Sequence, residues 1–116
     1  MGGPLMPNWK NAERRAAALI NGIRWPANLG VGVDVESSWA VAQVKEIASL
    51  SLAALTALAQ QAQRDGEERG KSGFVFVRHH KGRGRHAKPM LVVMTEDVFA
   101  ALHQASGQQT PVEGGE

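Results

Sequence analysis

The sequence predicts an α/β fold, ordered helix, two strands, helix, two strands, helix, with a mixed sheet flanked by helices. Two observations predict it. Apolar residues recur at helical spacing in three stretches, and short Val-rich runs with alternating or continuous apolar character lie between them. At 116 residues the chain suits one domain around one core.

The first helix is expected from about Trp9 to Asn21. Asn8 can cap it, and Asn21 with Gly22 supplies the stop. Trp9, Ala12, Ala16, Leu19 and Ile20 form the apolar stripe, with Glu13 beside it. Val31 to Val35 and Trp39 to Lys45 read as strands joined through Glu36, Ser37 and Ser38. A second helix, about Ser51 to Asp65, turns Leu52, Leu55, Leu58, Ala59 and Ala62 inward and stops at Gly66. The continuous apolar run Phe74 to Val77 is a buried strand, and Met90 to Met94 is its return. Thr95 caps a last helix to about Gln104, with Glu96 and Asp97 suiting the positive end of its dipole. Residues 1–105 make the domain; residues 106–116, rich in Gly and Gln, bury nothing and read as a disordered tail.

With 43% hydrophobic residues, 5% aromatics and no Tyr, the core is aliphatic. There are no cysteines, which excludes disulfides and thiolate metal sites. No apolar run approaches the ~20 residues of a membrane span. Met1 to Pro7 lacks a signal pattern, so no membrane association and a cytoplasmic location are expected. The net charge is only +2, but it is unevenly spread. From Lys71 to Thr95 there are six Lys or Arg residues and no Asp or Glu. Such a segment suits a polyanion held at one edge of the fold, or simply a solvated hairpin tip.

The chemistry concentrates between Asp34 and Lys45. Alternation puts Gln43 and Lys45 on one face and Val44 on the other. A two-residue or four-residue hairpin connection brings Asp34 to the face of Gln43 and Lys45; a three-residue one turns it away. The Asp34 carboxylate, the Gln43 amide oxygen and the Val44 carbonyl are hard ligands suited to Mg²⁺ or Mn²⁺. Lys45 can hold or help deprotonate an attacking water beside a scissile phosphate. The bland alternatives are a turn carboxylate for Asp34 and an exposed strand-end cation for Lys45.

An acidic residue followed by Gln-x-Lys on paired strands resembles the PD-(D/E)XK nuclease superfamily, and most closely the Holliday-junction resolvase-like endonucleases of actinobacterial phages. Resolvase-like members add a Glu on the first helix, which Glu13 would match. Similarity extends over Arg24 to Gly32, the Leu- and Ala-rich helix ending near Gln60 and Gln61, and Met90 to Met94 with Phe99 beyond. The resemblance implies a restriction-endonuclease-like core with Glu13, Asp34, Gln43 and Lys45 as catalytic residues and Asp34, Gln43 and Val44 holding Mg²⁺ or Mn²⁺. It further implies cleavage of branched DNA by a homodimer in a bacterial or phage-infected cell. Two departures stand out. Gln43 replaces the more usual Glu, removing a negative charge, and Val33 stands where a proline often precedes the acidic residue. Glu13 or Glu36 could compensate, although Glu36 also reads as a turn residue. The rival expectation is a nuclease-fold protein that binds DNA or protein without cutting.

Arg78, Lys81, Arg83, Arg85 and Lys88 are the expected phosphate-gripping residues of the basic loop. Its glycines permit close backbone approach, and guanidinium groups fork onto phosphate oxygens. Arg14 and Arg15 are further candidates for DNA contact. His79 and His80 lack a third ligand at zinc spacing. Trp9, Trp25 and Trp39 read as core or interface residues.

Overall fold

The structure, a computed structural model, describes residues 8–79 and 89–107, with side chains from residue 11 onward. It is α/β. Helix α1 (Asn8–Leu19) leads into strand β1 (Ile23–Arg24), a 3-10 turn (Ala27–Leu29), β2 (Val35–Glu36) and β3 (Ala40–Ile47). Then follow α2 (Leu52–Glu68), β4 (Ser72–His79), β5 (Met90–Val93) and α3 (Glu96–Ser106). The five strands form one mixed sheet in the order β1-β2-β3-β4-β5. Only β3 and β4 are parallel, and a parallel neighbour requires the crossover that α2 provides.

Alternation along β3 and β4 assigns the two faces. Ala40, Ala42, Phe74 and Phe76 pack with Ala16, Ala17, Ile20 and Val98, the core shared with α1 and α3. Val75, Val77 and Ile47 pack with Ala62, Leu55 and Leu58 of α2. Because β4 is covered on both faces, its sequence reads as an unbroken apolar run rather than an alternation. The approach of α2 to β4 is very close. A Cβ on Gly73 would lie 1.8 Å from the Ala62 carbonyl oxygen, and one on Gly66 would lie 2.5 Å from that of Lys71.

Helix ends follow local chemistry. Asn21 takes a φ of 59° after α1, a conformation Asn tolerates better than most residues. The Ser51 hydroxyl accepts from the Ala54 amide at 3.1 Å and caps α2, and Thr95 caps α3 by accepting from the Val98 amide at 3.3 Å. Thr95 also donates to Gln63 Oε1 at 2.7 Å, tying α3 to α2.

Several expectations need correction. The first strand group has three members, because Ile23 and Arg24 pair with β2; two residues are too few to show periodicity. The strand expected from Val31 to Val35 shrinks to Val35–Glu36, since Gly30 and Gly32 adopt φ of 63° and 91° and break the extended run. Helix α2 passes Gly66 and ends at Glu68, and the left-handed glycine is Gly70, φ 66°. Gly66 is buried inside the helix because α2 needs its missing Cβ there. Leu19 and Leu52, expected inward, are 60% and 79% exposed. Ser106, expected in the tail, is the last residue of α3, and the rest of that expectation, residues 108–116, lies outside the described residues. No helix among the described residues is long and apolar enough to cross a membrane.

Candidate active site

The hairpin register decides where Asp34 stands. Glu36 pairs with Val41 and Val35 with Ala42, so residues 37–40 are the connection, and that register carried one step beyond β2 would set Asp34 opposite Gln43. This is the four-residue case. Ser37 holds it. Its amide donates to the Ala40 carbonyl at 2.8 Å, and its Oγ accepts from the amides of Ala40 at 3.1 Å and Trp39 at 3.3 Å. A buried hydroxyl thus takes the amide donors that the tight end leaves over.

Asp34 sits in a turn just before β2. Its amide donates to the Ala42 carbonyl at 3.1 Å, and its own carbonyl accepts from the Trp25 amide at 2.8 Å. The carboxylate Oδ2 accepts from the Val44 amide at 2.8 Å. A strand residue aims its amide and carbonyl to the same side, so the Val44 carbonyl faces the β3 edge that Asp34 occupies. Gln43 donates from Nε2 to the Gly32 carbonyl at 2.7 Å. A carbonyl only accepts, which fixes the orientation of the amide and leaves Oε1 as an oxygen donor. Lys45 lies two residues further along the same face, half-buried. Its ammonium makes no hydrogen bond or ion pair among the described residues.

Other expected site residues are placed differently. Glu13 is buried on α1 and accepts from Arg24 Nε at 2.6 Å. That helix packs against the face opposite Gln43 and Lys45, and the side-chain partner of Glu13 is Arg24 of β1. A carboxylate on the buried side of a helix needs such a partner. Arg78, expected on phosphate, pairs across the ladder with Glu46 and forms an ion pair with it. Arg14 and Arg15 are exposed on α1. Lys81, Arg83, Arg85 and Lys88 lie outside the described residues.

Glu36 is a strand residue and the centre of a charged cluster. Lys71 Nζ donates to it at 2.7 Å, Trp25 Nε1 at 3.0 Å and Arg69 NH1 at 3.2 Å. The Lys71 hydrogen bond, foremost among these, holds the Glu36 carboxyl below its ordinary value against the opposing effect of burial. Both oxygens of Glu36 are engaged by these donors. Arg69 also reaches the Val31 carbonyl from NH2 at 2.6 Å. Sequence reasoning missed Arg69, Lys71 and Trp25. Their signal was weak, since Arg69 and Lys71 flank a helix-ending glycine and look like a solvated helix end.

Comparison with protein-family models, with curated proteins and with solved structures finds no match.

No three His, Cys, Asp or Glu side chains converge among the described residues. The oxygens offered by Asp34, Gln43 and Val44 are one carboxylate, one side-chain amide and one backbone carbonyl. All are hard donors, and together they carry a single negative charge. They fit Mg²⁺ or Mn²⁺, which keep several waters and share coordination with substrate phosphate, and they do not fit zinc. An open groove of about 720 Å³ lies elsewhere, lined by Trp39, Lys71, Leu102 and neighbours. It does not include Asp34 or Lys45.

Proposed function

We propose that this chain is a metal-dependent endodeoxyribonuclease of the PD-(D/E)XK kind, with a restriction-endonuclease-like core, acting on branched DNA as a homodimer. The carrying observation is the hydrogen bond from the Val44 amide to the Asp34 carboxylate, which ties the acidic residue to β3 between Gln43 and Lys45. That is the arrangement which an acidic residue followed by Gln-x-Lys needs if the three are to act together.

In this reading Asp34 is the anionic ligand, and Gln43 Oε1 and the Val44 carbonyl complete the protein's share of an Mg²⁺ or Mn²⁺ site. A divalent ion bound there supplies positive charge against the phosphate as negative charge develops in an in-line displacement. Lys45 brings an ammonium without a partner among the described residues, suited to hold the attacking water against the scissile phosphate. Water attacks phosphorus, the P–O bond to the leaving strand breaks, and the oxygen released takes up a proton. His79, the last residue of β4, pairs with Ile47. The segment carrying Lys81, Arg83, Arg85 and Lys88 therefore starts from the sheet end to which Lys45 belongs. Carboxyl ends of parallel strands are the usual ligand side of open α/β sheets.

A second reading is favoured by one observation, the single carboxylate at the site. A protein with weak metal affinity would bind DNA without cutting it. Incubating a four-way junction and a linear duplex with Mg²⁺ or Mn²⁺ separates the two readings. Junction cleavage is the expected result, and tight binding with no cleavage at any metal concentration supports the silent binder.

A further inference from the structure

We infer that Arg69 is a positioning residue for Asp34, an inference that rests on the reading of Asp34 as the anionic ligand. The chain reverses between β1 and β2, and residues 31–34, with Asp34 at a bend just before β2, form the returning limb. Regular pairing here is limited to Val35–Glu36, with one further backbone hydrogen bond to each side of Asp34, its amide to Ala42 and its carbonyl from Trp25; residues 31–33 make no such pairing. Gly30 and Gly32 at φ of 63° and 91° give this limb a backbone that loses much freedom on ordering. Arg69 grips the returning limb on both sides of Asp34. Its NH2 donates to the Val31 carbonyl at 2.6 Å before Asp34, and its NH1 donates to Glu36 Oε1 at 3.2 Å after it. Gln43 meets the middle at the Gly32 carbonyl.

Arg69 is itself anchored. Its amide donates to the Gly66 carbonyl at 2.9 Å, and Gly70 at φ 66° turns the chain into β4 immediately after. The end of α2 thus fixes the backbone from which the guanidinium reaches Val31 and Glu36. A planar fork can hold two acceptors at once. The ammonium of a lysine would keep the charge but not this two-armed hold.

Lys71 provides the control. It also donates to Glu36, but no hydrogen bond joins it to residues 31–34. A role confined to neutralising Glu36 makes Arg69 and Lys71 equivalent; a positioning role does not. The Val44 amide reports Asp34 directly, because its acceptor is the Asp34 carboxylate.

The test uses the full chain. Amide hydrogen exchange at Val44 is followed by NMR without metal, and Mn²⁺ affinity is measured by calorimetry. Wild type, Arg69→Ala, Arg69→Lys, Lys71→Ala and Asp34→Asn are compared at a temperature where all are folded. Arg69→Ala and Arg69→Lys are each expected to speed Val44 exchange and weaken Mn²⁺ binding by about tenfold, as loss of a ligand-orienting partner does. Lys71→Ala is expected to leave both near wild type. Unchanged exchange and affinity in Arg69→Ala, or equal losses in Lys71→Ala, would overturn the inference. Should wild type bind Mn²⁺ no better than Asp34→Asn, the metal reading itself falls, and the Val44 exchange data alone still report whether Arg69 holds the returning limb.

Discussion

The Asp34 carboxylate accepts the Val44 amide at 2.8 Å, so the acidic residue just before β2 is fixed to the β3 backbone between Gln43 and Lys45. One residue of slip would break this relation, because each step along a strand exchanges its faces. The proposed chemistry depends on that register.

Asp34 and Lys45 have different tasks, so their losses differ. Lys45→Ala should bind Mg²⁺ nearly as wild type does yet cut the junction on the order of 10² times more slowly, the usual scale of a lost proton-transfer or phosphate-holding group. Calorimetry beside single-turnover cleavage checks this. A Lys45→Ala protein that cuts at the wild-type rate removes Lys45 from the chemistry.

Gln43→Glu combines two opposed effects. The carboxylate cannot donate to the Gly32 carbonyl, so the metal-free protein should lose roughly 1–2 kcal/mol of stability. The added charge should strengthen divalent binding, so Mg²⁺ should raise the melting temperature of Gln43→Glu more than that of wild type. Thermal melts with and without Mg²⁺ read both. An Mg²⁺ response equal to that of wild type places Gln43 away from the ion.

Glu36 gives the protein a specific acid sensitivity. Its carboxyl is held below the ordinary value of 4.5, above all by Lys71. Stability from a depressed carboxyl is present above the unfolded-state value and is lost as pH falls through the folded one. Wild type should therefore lose stability below about pH 4.5 with a steeper slope than Glu36→Gln. Urea unfolding between pH 3 and 7 measures it, and parallel slopes would show that the cluster contributes nothing to the acid limb.

The basic segment is tested by salt. Replacing Arg83 and Arg85 by Ala should lower the slope of log affinity against log salt by about 0.9 for each phosphate that is no longer neutralised. Junction binding over a salt series measures this. An unchanged slope makes the segment a bystander.

Much of the architecture was legible because helices and buried strands announce themselves by period. Ala12, Ala16 and Ile20, and likewise Ala59 and Ala62, were predicted inward and are buried. The same rule failed at Leu19 and Leu52, which stand at helix ends where the neighbouring element no longer covers the stripe. At the site, alternation correctly paired Gln43 with Lys45 but left the hairpin length open. The Oγ of Ser37, which chooses the length, is one hydroxyl among many in the sequence. The ion pairs were illegible for a different reason. Glu13 meets Arg24, and Glu36 meets Arg69 and Lys71, only after β1 and the end of α2 are in position. Long-range charge partners leave no local spacing to read.

The central claim is most directly tested by cleavage of a four-way junction by wild type and Asp34→Asn across an Mg²⁺ titration, with junction binding measured in parallel. The Asn side chain keeps an oxygen for the Val44 amide, so the fold should survive while the negative charge is lost. The expected result is Mg²⁺-dependent cutting by wild type, none by Asp34→Asn, and junction binding by the variant at least as tight as wild type, since repulsion of phosphate falls. Cleavage by Asp34→Asn at the wild-type rate, or no cleavage by wild type at any Mg²⁺ concentration, would contradict it.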